Sequence, residues 1–71
     1  MRNIIGTMRL GTVIKKLRAD RGWTQEELAQ RSKLSRDYLA ALETGHKDNP
    51  STAVLKRLAR ALDVSIADLA E

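Results

Sequence analysis

One phrase recurs along this chain and constrains its fold more than any other feature. An apolar residue is followed by Ser or Thr, with a leucine four positions after the hydroxyl residue: Trp23-Thr24 with Leu28, Leu34-Ser35 with Leu39, Pro50-Ser51 with Leu55, and Val64-Ser65 with Leu69. This is the grammar of a helix start, in which the hydroxyl caps the first free backbone N–H groups and the two flanking apolar residues close a hydrophobic staple. Glu27 and Asp68, each three residues after its cap, complete capping boxes with Thr24 and Ser65.

The phrase predicts helices over 24–32, 35–44, 51–62 and 65–70, with Gly45 just past the end of the second of these. A further helix precedes them. Leu10, Val13, Ile14 and Leu17 recur at i, i+3, i+4 and i+7, and the segment stops at Gly22, suited to a left-handed cap. No segment alternates with period two and none carries a hairpin turn. The expected fold is all-α, a bundle of five short helices.

The stretch "QRSKLSRDY", residues 30 to 38, has neither Gly nor Pro, yet the chain is expected to turn within it at Lys33-Leu34. Ser35 is a good cap there. A single helix through 24–44 would put its leucines out of phase, because Leu28 and Leu34 are six apart and Leu34 and Leu39 five apart. Two helices joined by a tight turn bring Leu28, Leu34, Leu39 and Leu42 to one core, with the stripe Leu55, Leu58, Ala59 and Leu62 facing them.

Length and composition narrow the function classes. A chain of 71 residues makes one domain, which buries only about 60% of the surface its unfolded form exposes. Aromatic content is 3%, Trp23 and Tyr38, so the core is expected to be built of aliphatic side chains with Trp23 among them. The absence of cysteine excludes disulfides, thiolate metal sites and thiol catalysis. A formal net charge of +4 suits a polyanionic partner without deciding one. No apolar run reaches the roughly 20 residues of a membrane span, and MRNIIGTMRL is too interrupted for a signal peptide, so a soluble cytoplasmic protein is expected. Residues 1–8 read as a flexible N-terminal arm, with Met8 as an alternative start.

"TQEELAQRSKLSRDYLAALETG", residues 24 to 45, resembles the helix-turn-helix of the lambda-repressor-like, Cro-type family of DNA-binding domains. The similarity extends through "IKKLRADRG" before it and "NPSTAVLKRLARALDVSIADL" after it, covering residues 9 to 70. Gln25 opens the first helix of the motif, which spans 24–44, and Ala29 is the small residue where its two helices approach. Leu28, Leu34, Leu39 and Leu42 are its apolar positions, and Glu43 with Gly45 closes the second helix. One position departs from the pattern, since Lys33 stands where the family most often has Gly. A left-handed Lys33 is expected to cost on the order of 1 kcal/mol.

The resemblance implies that the helix 35–44 is a recognition helix laid in the major groove of double-stranded DNA. Arg36, Asp37, Ala40 and Ala41 are then the base-reading positions. Arg36 is the strongest, because a guanidinium grips guanine O6 and N7 with two bonds. Asp37 accepts from a cytosine amino group or steadies the helix N-terminus, and Ala40 and Ala41 offer methyl groups to thymine or simply permit close approach. Thr24, Gln25, Tyr38, Thr44, His46 and Lys47 are expected contacts to the DNA backbone, with Thr24 also a cap and Gln25 also a brace for residue 36. Arg18 and Glu43 form the structural ion pair.

Lys56, Arg57 and Arg60 read as a solvated face. His46 and Asp48 lack the further groups an active site or metal centre needs, so neither an enzyme nor a cofactor is expected. The expected function is that of a small transcriptional regulator, a repressor, acting as a homodimer on a palindromic operator and taking no evident small-molecule ligand. Ile66 and Leu69 either form a dimer surface or close the core. A protein-interaction module such as an antitoxin, keeping the fold but binding a protein partner, is the rival reading.

Overall fold

A computed structural model describes residues 10–70; the expected arm and alternative start lie outside them. The described residues form five helices and no strand: α1 (Leu10–Asp20), α2 (Gln25–Ser32), α3 (Arg36–Thr44), α4 (Thr52–Leu62) and α5 (Ile66–Ala70). α1 packs against α3 and α5, α2 against α3 and α4, and α4 against α5.

Each helix after the first starts on its expected cap. The Thr24 hydroxyl accepts from the Glu27 N–H at 3.1 Å, and the Glu27 carboxylate accepts from the Thr24 N–H at 2.9 Å. Ser65 and Asp68 make the same reciprocal pair, both bonds at 3.1 Å. Ser35 accepts from the Tyr38 N–H at 3.0 Å and Ser51 from the Val54 N–H at 3.2 Å. Such caps are typically worth about 1 kcal/mol each.

Three helices end in one backbone turn. At its centre stands a left-handed residue: Gly22 (φ 72°), Lys33 (φ 59°) or Asp63 (φ 59°). Its N–H reaches the carbonyl three residues back, and the next N–H reaches five back, onto Arg18, Ala29 or Ala59. These paired bonds consume carbonyls that the helix end would otherwise orphan. The turn at Asp63 was not expected from the sequence, whereas the one at Lys33 stands where the family's usual glycine is missing.

Ile14, Leu28, Ala29, Leu39, Leu42, Leu58, Ala59, Leu62 and Leu69 form the buried core. Leu34 and Leu55 are only half-buried at its margin. Trp23, expected inside, is also half-buried. It precedes the cap of α2 and so lies outside the bundle axis, with the Arg31 guanidinium 4.2 Å from its ring centre. Stacking of this kind is worth about 0.5–1 kcal/mol at a partly exposed site, which offsets some of the burial the indole forgoes. Leu69 is 1% exposed, so α5 closes the core, and Ile66 packs half-buried beside it.

The tightest helix contact was not foreseen. Ala29 is buried as expected, but a Cβ on Gly11 would stand 2.0 Å from the Leu42 carbonyl oxygen. α1 and α3 therefore touch backbone to backbone at a point only glycine permits. The signal was available, since Gly11 lies three residues before Ile14 on the inward face of its helix.

Candidate nucleic-acid interface

Lys33, Leu34 and Ser35 join α2 to α3, and the Ser35 cap fixes where α3 begins. From that point helical periodicity sorts the side chains. Leu39, Leu42 and Glu43 turn inward, whereas Arg36 and Asp37 stand exposed on the first turn. Ala40 and Ala41 follow one turn later, half-exposed and small, so nothing on this stretch holds an approaching surface away from the α3 backbone. Asp37 sits in the first turn, where a carboxylate favours the helix dipole. Among the described residues the one ion pair is Arg18 with Glu43, which leaves the Arg36 guanidinium without a carboxylate partner.

Behind this face a single carboxylate ties three helices together. Arg18 donates from Nε to Glu43 Oε2 at 2.7 Å and from Nη2 to Oε1 at 3.0 Å. Its remaining Nη1 donates to the Trp23 carbonyl at 2.7 Å. The Gln25 amide donates to Glu43 Oε1 at 2.9 Å. The Glu43 side chain is 2% exposed and the Arg18 side chain 14%, so the pair is largely withdrawn from water and satisfied. Removing one member of such a pair commonly costs about 3–5 kcal/mol, because the other is left as an uncompensated charge. Gln25 thus braces Glu43 and not residue 36, its amide drawn inward by the buried carboxylate.

The expected backbone contacts fall into two groups. Thr24 and Gln25 mark the N-terminus of α2, whose free N–H groups suit phosphate. Thr44, His46 and Lys47 mark the far end of α3 and are exposed. Thr44 is the last residue of α3, and its hydroxyl donates to the Ala41 carbonyl at 3.2 Å. The Lys47 N–H donates to that same carbonyl at 3.0 Å, folding the loop over the helix end. Tyr38 is half-buried with its ring against the core margin.

Among the described residues no group of three or more His, Cys, Asp or Glu side chains is placed to hold a metal ion. No helix among the described residues is long and apolar enough to cross a membrane.

Two helices joined by a capped turn, with the second exposed on its leading edge and locked from behind, define a helix-turn-helix domain. The helix-turn-helix family model matches residues 14–69, and the chain belongs to that family, of the Cro/C1 type. It is 43% identical over 60 residues to an uncharacterised HTH-type transcriptional regulator, y4dJ, of Sinorhizobium fredii (strain NBRC 101917 / NGR234), covering 84% of this chain and 77% of that protein. It is 33% identical to the HTH-type transcriptional regulator SinR of Bacillus subtilis (strain 168), and spans 54% of that protein's length. The crystal structure of SinR, the master regulator for biofilm formation, in complex with DNA superposes with a TM-score of 0.84 at 32% identity, covering 87% of this chain and 98% of that one. The restriction-modification controller protein C.AhdI of Aeromonas hydrophila superposes with a TM-score of 0.80 at 37% identity, covering 84% and 89% of the two chains.

Proposed function

We propose that this protein binds double-stranded DNA sequence-specifically and acts as a small transcriptional regulator, a repressor, with α3 in the major groove. The observation that carries the reading is the leading turn of α3: Arg36 and Asp37 are exposed directly after the Ser35 cap, on a helix whose far end is locked by Arg18, Glu43 and Gln25. The kinship with SinR, solved on DNA, supports it.

Arg36 reads guanine, Ala40 and Ala41 lie against the groove floor, and Asp37 steadies the helix start while accepting from a cytosine amino group. Thr24, Gln25, Tyr38, Thr44, His46 and Lys47 hold the phosphates that set the register. The N–H groups at the α2 start, more than the Gln25 amide already bound to Glu43, supply the phosphate contact there. One domain carries these contacts, all but His46 and Lys47 within the motif 24–44. It works in the cytoplasm as a homodimer, with recognition helices about 34 Å apart on a palindromic operator. The chemistry is binding rather than catalysis.

Selecting bound duplexes from a random pool tests all of this together. A two-fold symmetric consensus, with affinity falling steeply with salt at about 0.9 log units per phosphate contact, is expected; an unstructured consensus overturns sequence-specific readout. SinR has also been solved in complex with the SinI protein, which favours a second reading in which a protein partner engages the domain. Under that reading, partner binding survives Arg36→Ala and DNA selection yields no motif.

A further inference from the structure

We propose that the groove between α2 and α4 is a second anion site, built to take phosphate groups. Arg31, Ser32, Lys33, Arg57, Arg60 and Ala61 line it, around a volume of about 600 Å³. That volume falls within the roughly 300–1,000 Å³ of small-molecule sites. Four of the six lining residues are cations and none is an acid. None of the six belongs to the DNA-contact residues of the recognition motif, so the proposal does not depend on the DNA-binding reading.

Cations near helix C-termini have an ordinary explanation. Arg31 and Arg60 lie in the last turns of α2 and α4, where positive charge answers the helix dipole. Each helix end supplies only about half a negative charge. Two ends therefore balance about one of the four cations, and the rest lack this counter-charge. None of the four is in an ion pair, the one pair among the described residues being Arg18–Glu43. Gathering like charges in this way is unfavourable until an anion enters, and favourable afterwards.

Two of the arginines already lie against other groups of the protein before any ligand arrives, Arg31 closely and Arg57 at the long limit of a hydrogen bond. Arg31 lies over the Trp23 ring at 4.2 Å, and Arg57 Nη1 stands 3.5 Å from the Lys33 carbonyl oxygen. A side chain already restrained loses less freedom on binding. Guanidinium forks match phosphate oxygens with paired, charge-assisted bonds, which selects phosphate over a single carboxylate.

Trp23 is the sole tryptophan and reports directly on Arg31. The intact protein is titrated with tripolyphosphate at low salt while Trp23 emission is followed and amide and guanidinium NMR signals are mapped. A saturable change is expected, with shifts centred on Arg31, Lys33, Arg57 and Arg60. Arg57→Ala/Arg60→Ala is expected to weaken binding by about tenfold or more. Lys15→Ala/Lys16→Ala, which removes the same charge from exposed positions on α1, should weaken it by no more than about threefold. Equal losses in the two variants overturn the proposal, as do shifts spread evenly over all the cations; the map of the unaltered protein decides even if a variant unfolds. An acidic peptide that binds where tripolyphosphate does not also overturns it. A duplex arm identifies the source of the phosphate. Competition between duplex and tripolyphosphate supports the site as a seat for the DNA backbone, and simultaneous binding supports it as a seat for a free phosphorylated molecule.

Discussion

Residues 33–35 and 63–65 have the same backbone and different work. In each, a left-handed non-glycine residue ends one helix, an apolar residue follows, and a serine caps the next helix. The bond lengths repeat: 3.2 Å from Lys33 and Asp63 onto the carbonyl three back, 2.9 Å from Leu34 and Val64 onto the carbonyl five back. What differs is the residue after the serine. Arg36 is exposed, whereas Ile66 is half-buried against the core. One turn turns a charged side chain outward and the other turns an apolar one inward, so a repeated piece of backbone geometry carries no function by itself. The side chain delivered by the turn decides.

The largest effects should come from the leucines that each turn buries. Leu39 is 0% exposed and Leu69 1%, and truncating a buried leucine to alanine costs about 2–5 kcal/mol. Leu39→Ala is expected near the upper end, because α3 is pressed between α1 and α2. Leu69→Ala is expected near the lower end, since the five-residue α5 can relax into the space. Urea unfolding measures both. A loss below about 1 kcal/mol at Leu69 would remove α5 from the core and end its likeness to α3.

Arg36→Ala and Ile66→Ala should separate binding from stability. The first is expected to lose about 1–3 kcal/mol of discrimination at one base pair, leaving the melting temperature unchanged because the side chain is exposed. The second is expected to cost about 1–2 kcal/mol of stability, with selectivity retained in the folded fraction. Competition binding on single-base operator variants, run beside thermal melts, reads both. Loss of selectivity with Ile66→Ala would make α5 a part of the interface.

Helix starts were legible in the sequence because caps and staples are local chemistry, and every one of the four begins on the residue expected. Helix ends were less so. Gly22 and Gly45 announce themselves, but Asp63 takes the left-handed turn with nothing in its type to demand it. The surrounding bonds onto Ala59 and Arg60 and the burial of Leu62 outweigh its modest strain. The outward positions of α3 follow from the cap and the helical period. Gln25 could not be assigned in the same way, because its partner depends on how deeply Glu43 is buried, which is a tertiary fact. The arginines of the α2–α4 groove come from helices far apart in sequence, so their convergence has no local signal at all.

Ser35→Ala and Ser65→Ala come next, at about 1 kcal/mol each. Ser35 gives up one bond onto the Tyr38 N–H. At Ser65 the Asp68 carboxylate still accepts from the backbone N–H of residue 65, so part of the capping box survives and the loss should be the smaller. Urea midpoints for the two variants rank them. An equal or larger loss at Ser65 would mean that the reciprocal bond adds nothing.

The smallest effect compares the two left-handed residues themselves. Lysine in this conformation costs roughly 1–2 kcal/mol, and glycine returns about 0.4–1 kcal/mol of that through the greater freedom of its unfolded chain. Lys33→Gly is therefore expected to stabilise by about 0.5–1 kcal/mol, a rise of about 2–8 °C in melting temperature for a domain of this size. Asp is several-fold enriched in the left-handed region and bears less strain there, so Asp63→Gly should leave the melting temperature nearly unchanged. Charge complicates the first of these, because Lys33 also lines the cationic groove with Arg31, Arg57 and Arg60. Lys33→Gln removes the charge and keeps the β-carbon, which separates repulsion from backbone strain. If Lys33→Gln raises the melting temperature as far as Lys33→Gly, the gain is electrostatic and the two turns are equally relaxed. If only Lys33→Gly raises it, the turn before α3 holds strain that the turn before α5 does not.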